Sequence, residues 1–135
     1  MITSFETIEH VKDYKKALSE LYRVLKPNGL IVISNPNRKL TSPFKSINEP
    51  PDNPFHIVEH TTEEFIQIIE NQFVNLGVYG QRGINKLFFM PFIERILRKK
   101  IHRLYSPEKG KSDLKKVSFT KEYRYSVIVG SKSNP

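Results

Sequence analysis

The stretch ALSELYRVLKPNGLIVI, residues 17–33, carries three structural elements in succession. Leu18, Leu21 and Leu25, preceded by Val11 and Tyr14, recur at spacings of three and four, the signature of an amphipathic helix. Asp13 stands where a side-chain oxygen caps the start, and Pro27 with Asn28-Gly29 marks the stop. Leu30-Ile31-Val32-Ile33 is then a short unbroken apolar run, which predicts a strand buried on both faces. Helix, tight turn and buried strand make half of an α/β unit.

Upstream, Met1 to Phe5 reads as the frayed end of another strand. Downstream, residues 35–60 hold five of the nine prolines and no periodicity, so they predict a long proline-rich loop. That loop follows the carboxyl end of a buried strand, the place where open α/β sheets bind ligands. Thr61-Thr62-Glu63-Glu64 reads as a capping box, and Phe65, Ile68, Ile69 and Phe73 supply the core stripe of the helix behind it. Val74, Leu76 and Val78 alternate as a half-buried strand, expected to end at Tyr79-Gly80-Gln81-Arg82-Gly83. Phe92 to Tyr105 is amphipathic, its polar face carrying Arg95, Arg98, Lys99, Lys100 and Arg103. With the polar loop Ser106 to Lys116 it defines an inserted basic helix and loop across residues 84–118. Tyr123, Tyr125, Val127 and Val129 alternate through a final strand. Alternating helices and strands predict an α/β fold with helices outside a mostly parallel sheet. So few strands, beginning with a partial one, predict half of such a sheet and an apolar edge available for self-association.

At 135 residues the chain is one modest domain, with 38% hydrophobic and 27% charged residues. The absence of cysteine excludes disulfides and thiolate metal sites, so a metal must use His, Asp or Glu. No apolar run reaches membrane-span length and the start lacks a signal-peptide pattern, so the expected location is cytoplasmic. A net charge of +8 favours anionic partners such as RNA or lipid headgroups, although a solvated basic surface accounts for it equally.

Glu6, Glu9 and His10 stand at offsets of zero, three and four. If this stretch turns helically, the three side chains share one face and form a mixed oxygen and nitrogen set for a divalent cation. The plainer reading is that Glu9 and His10 cap the following helix.

The run Ser4-Phe5-Glu6-Thr7-Ile8-Glu9-His10-Val11 is followed by the stretch from Ala17 to Gly29, and then by Ile33-Ser34-Asn35-Pro36-Asn37. Behind these come Asn53-Pro54-Phe55-His56, Glu59 and Thr62-Glu63-Glu64-Phe65. Together they resemble class I S-adenosylmethionine-dependent methyltransferases over about the first eighty residues. The resemblance implies a Rossmann-like sheet of which this chain, residues 1–135, supplies the strand 4-5-7-6 side, its N-terminal half missing and its last strand antiparallel. It implies S-adenosylmethionine as methyl donor in the full-length enzyme, with Ser4 and Phe5 at the cofactor contact after strand four. The family's glycine-rich loop and second-strand acid have no counterpart here, so weak or absent cofactor binding is expected of this chain alone.

Glu6-Thr7-Ile8-Glu9-His10 is also similar to the ExxEH pattern of ubiquinone-biosynthesis O-methyltransferases and small-RNA 2′-O-methyltransferases. In the RNA branch a later histidine completes the metal set, and His56 falls at the matching place. The implied ligands are Glu6, Glu9, His10 and His56 for Mg²⁺ or Mn²⁺, with Glu9, His10 and His56 the candidate catalytic groups. The expected reaction is methylation of a hydroxyl on a small-molecule, glycan or lipid-linked acceptor. The alternatives are an RNA 2′-O-methyltransferase portion and a non-catalytic remnant or partner subunit.

Overall fold

The computed structural model describes residues 1–86, 114–118 and 120–133. Its elements are β1 (Ile2–Ser4), α1 (Tyr14–Val24), β2 (Leu30–Pro36), α2 (Arg38–Thr41), α3 (Thr62–Glu70), β3 (Val74–Asn85), β4 (Lys115–Lys116) and β5 (Lys121–Ser131). One five-stranded sheet runs in the order β1-β2-β5-β3-β4. β1 lies parallel to β2, so α1 is the crossover of a βαβ unit, whereas β5 runs antiparallel to both β2 and β3. Taking β1, β2, β3 and β5 as the fourth to seventh strands, this is the 4-5-7-6 arrangement that the resemblance implies.

α1 and α3 are joined to the sheet by one hydrocarbon core: Leu18 and Leu25, Ile31 and Ile33, Phe65, Ile69 and Phe73, and Ile128. Both helices begin as the sequence predicts. Asp13 accepts from the Lys16 amide at 3.0 Å. Thr61 Oγ1 accepts from the Glu64 amide at 3.2 Å while Glu64 accepts from the Thr61 amide at 2.8 Å, a complete capping box. α1 is closed at its other end from far along the chain. Lys132 Nζ donates to the carbonyls of Tyr22 (2.9 Å), Arg23 (3.4 Å) and Leu25 (3.0 Å), placing a cation where the helix dipole is negative.

Several expectations change. β2 is buried on both faces only from Ile33 to Pro36; at its start Ile31 is fully buried, but Leu30 is 47% exposed and Val32 half-buried. α1 and α3 pack on the face that Ile31 and Ile33 share, which leaves Leu30 and Val32 on the other. β3 does not end at Tyr79–Gly83 but continues to Asn85. Gly80 and Gly83 make room for the ring of Tyr123 rather than a turn; a Cβ at Gly80 would lie 2.1 Å from Tyr123 Cγ. The interval 84–118 therefore begins in β3, and Lys115–Lys116 near its close is β4. The amphipathic segment Phe92 to Tyr105, with its arginines and lysines, lies outside the described residues. Within residues 35–60 the chain extends β2 to Pro36 and then forms the single turn of α2.

Candidate functional site

The loop that leaves β1 turns sharply. Glu6 adopts a left-handed backbone (φ 47°), and only Ile8–His10 coil, as one 3-10 turn that ends at an extended Val11. Glu6, Glu9 and His10 consequently do not stack on a helix face. The reason is local. The Glu6 amide donates to Ser34 Oγ (2.9 Å) and Ser34 donates back to Glu6 Oε1 (2.8 Å), which fastens the residue to β2. Ile8, fully buried, then anchors the turn in the core. Glu9 and His10 do not cap α1, whose cap is Asp13.

Glu9 has 0% exposure, and neither of its carboxylate oxygens has a hydrogen-bond partner. Burial pushes its carboxyl group above the ordinary range, because water is removed from the charged form. Burial likewise raises Glu6, opposed by the hydrogen bond from Ser34. The Glu9 carbonyl accepts from the amides of Ile57 (2.7 Å) and Val58 (3.3 Å), so the far end of the proline-rich loop is laced to the turn.

That lacing brings the histidines together. His10 Nδ1 lies 2.7 Å from the Phe55 carbonyl, an acceptor only, so His10 carries its proton on Nδ1 and keeps a lone pair on Nε2. His10 Nε2 is 3.9 Å from Glu9 Oε1. The rings of His10 and His56 meet edge to face, their centroids 4.9 Å apart. His56 Nδ1 is 2.5 Å from Glu59 Oε1, and His56 Nε2 is 2.9 Å from the side-chain amide of Asn53. Glu9, His10 and His56 each offer a ligand atom within 4.8 Å of the others. Glu6 is outside that trio, its Oε1 committed to Ser34, although it feels the charges of Glu9, His10 and His56.

Glu59, which sequence reasoning did not include in the site, is 1% exposed. Its Oε2 accepts from Ser42 Oγ (2.6 Å) and Thr41 Oγ1 (2.5 Å), and Ser42 in turn accepts from the Asp52 amide (2.8 Å). The available signal was a carboxylate three residues after a candidate ligand histidine. His60 sits at the entry to α3, its ring edge to face with Tyr14 and both ring nitrogens without a hydrogen-bond partner. Burial depresses its pKa, which leaves it neutral. Gln81 and Arg82 lie in β3, with the Arg82 guanidinium 5.7 Å from the centre of the Tyr125 ring.

The profile of a family described as methyltransferase domain matches residues 1–74, more than half of the chain. The chain belongs to this methyltransferase family. It is 34% identical over 91 residues to a probable S-adenosylmethionine-dependent methyltransferase of Mycolicibacterium smegmatis, covering 64% of this chain and 34% of that protein. A second relative, the probable S-adenosylmethionine-dependent methyltransferase Rv3030 of Mycobacterium tuberculosis, is 35% identical over 81 residues, covering 59% of this chain and 28% of its own. This methyltransferase chain thus spans about a third of the length of the curated relatives it matches. Among solved structures, a Thermotoga maritima methyltransferase described as a possible histamine N-methyltransferase superposes with a TM-score of 0.62 at 20% identity. That match covers 97% of this chain and 55% of the other. The YcgJ protein from Bacillus subtilis superposes with a TM-score of 0.51 at 16% identity, covering 99% and 64% respectively. Both likenesses establish the Rossmann-like fold of the methyltransferases.

S-adenosylmethionine is the cofactor of the family. Ser4, half-buried, ends β1, and Phe5 beside it is 54% exposed. No described glycine stands between a strand end and a helix start: Gly29 follows α1, Gly77, Gly80 and Gly83 lie in β3, and Gly130 lies in β5. Among the described residues, no helix is long and apolar enough to cross a membrane.

Proposed function

We propose that this chain is the acceptor-side part of an S-adenosylmethionine-dependent methyltransferase acting on a hydroxyl oxygen, with Glu9, His10 and His56 holding a divalent cation. The observation that carries this reading is the Glu9 carboxylate, buried without a hydrogen-bond donor beside two imidazoles. A buried acid in that condition is costly unless a cation satisfies it. Two imidazoles and one carboxylate suit Mn²⁺ better than Mg²⁺, which favours all-oxygen sets. A cation held there supplies Lewis acidity that lowers the pKa of an acceptor hydroxyl. The Phe55 carbonyl and Glu59 hold the two rings, and Asn53 must release His56 Nε2 for that atom to reach a cation. Small-molecule, glycan and lipid-linked hydroxyls are the acceptor classes in view. The pairing of His56 with Glu9 and His10 also favours an RNA 2′-hydroxyl as the second reading, together with the net charge of +8.

The test is a Mn²⁺ titration followed by the paramagnetic resonance of the free ion. The wild-type chain is expected to bind, with Mn²⁺ preferred over Mg²⁺, and Glu9→Gln to bind at least about tenfold more weakly. Equal binding by both rejects the metal site and leaves a methyltransferase that works without a metal, or the non-catalytic remnant or partner reading. Anisotropy of a labelled single-stranded RNA separates the acceptor classes, since tight binding at 150 mM salt on the order of physiological ionic strength supports the RNA reading.

A further inference from the structure

We infer that Glu59 is a positioning residue: it fixes the tautomer and orientation of His56 and ties that ring to the turn after α2. The inference deepens the proposed cation site and rests on that reading for its chemical purpose, but its structural content stands separately.

Glu59 is buried, and each of its oxygens is occupied. Oε1 faces His56 Nδ1 at 2.5 Å, and Oε2 faces the hydroxyls of Ser42 and Thr41. The Ser42 hydroxyl has one role open to it. It accepts from the Asp52 amide, so its single proton is free to point at Glu59. The Thr41 proton has two acceptors in reach, Glu59 Oε2 at 2.5 Å and the Asn37 carbonyl at 3.0 Å, and the shorter contact to a carboxylate is the stronger. Two hydroxyl donors converge on Glu59 Oε2, as they would on an ionised carboxylate, and a neutral His56 facing its Oε1 then carries its proton on Nδ1 and a lone pair on Nε2. The Asn53 amide nitrogen, a donor, faces that Nε2 and fits the same assignment. A carboxylate behind an imidazole is the arrangement by which proteins orient metal-ligating histidines and raise their basicity. Through Thr41, Ser42 and Asp52 the same carboxylate joins the turn after α2 to the proline-rich segment, which has no periodic core of its own.

Two-bond ¹H–¹⁵N correlation spectra of the labelled chain at pH 8 read the tautomer directly, without metal or methyl donor. The wild type is expected to show His56 protonated on Nδ1. Glu59→Leu, similar in size but without an acceptor, is expected to shift His56 to the Nε2-protonated or a mixed form. It should also weaken Mn²⁺ binding by about 10–100-fold. The double variant Thr41→Val with Ser42→Ala keeps the carboxylate and is expected to retain the Nδ1 form, which separates positioning from general loosening of the loop. Should Glu59→Leu fail to fold, the wild-type and double-variant spectra still decide. A wild-type His56 protonated on Nε2 overturns the inference, as does an unchanged tautomer in a folded Glu59→Leu. Locked tautomers without Mn²⁺ binding support the positioning role while removing the cation site, so the two readings fail separately.

Discussion

Between α1 and α3 the interior is hydrocarbon, built from Leu18, Leu25, Ile31, Ile33, Phe65 and Ile69. Across residues 37–60 it is polar: Asn37, Arg38, Ser42, Glu59 and His60 are all buried. The first region gains stability from area removed from water, which is non-directional and roughly additive. The second, His60 apart, depends on donors meeting acceptors, as when Arg38 reaches both oxygens of Glu64 at 2.6 and 2.8 Å. The hydrocarbon half sets where the strands lie; the polar half sets where two histidines point.

That contrast breaks most visibly in the core. Phe65→Ala is expected to cost about 3–5 kcal/mol, a large share of a small domain's stability, and to lower the urea midpoint for every probe together. Glu59→Leu should cost less, about 1–3 kcal/mol, by leaving buried donors without an acceptor. Its signature is regional. Hydrogen exchange should quicken at the Ile57 and Val58 amides, which bond to Glu9, and stay slow in β2 and β5. Uniform acceleration would mean that the two regions unfold as one. Lys132→Met is expected to cost about 1 kcal/mol through the end of α1, with Mn²⁺ binding unchanged.

Titration gives the smallest and most selective effects. The depressed folded pKa of His60 means that the unfolded chain takes up a proton first as pH falls below 6.5. Stability is therefore lost between that value and the lower folded pKa, and His60→Phe should flatten the fall in urea midpoint from pH 7.5 to 5.5, chosen as about one unit either side of the ordinary histidine value. Glu9 behaves oppositely. Its folded pKa is raised above 4.5, so ionising it weakens the fold at neutral pH and protonating it removes the penalty. Glu9→Gln should raise the metal-free midpoint at neutral pH, with the gain vanishing in acid, while Mn²⁺ binding falls. A variant that loses both stability and binding would contradict the orphaned-carboxylate reading.

Leucines at threes and fours, Asp13 before α1 and the Thr61–Glu64 box were legible because each is settled within a few residues. β3 looks shorter in sequence than it is because Gly80 and Gly83 resemble a turn, and the Tyr123 ring that explains them arrives from another strand. The resemblance to the RNA branch put His56 with Glu9 and His10, and the three side chains do lie together, whereas the spacing alone suggested a helix that Glu6, bonded to Ser34, does not enter. Glu59, part of the family match, has no place in a site on the sequence alone: its partners are Thr41, Ser42 and His56, and their meeting is tertiary.

The middle position of β5 has a consequence for synthesis. It is hydrogen-bonded to β2 on one side and β3 on the other, yet it is the last of the three to leave the ribosome. Until residues 121–131 emerge, β2 and β3 each present an open edge towards the other, and the nascent chain cannot zip up in order of translation. A polypeptide stalled before Lys121 should be the species that holdase chaperones capture, and emergence of residues 121–131 the event that closes the sheet.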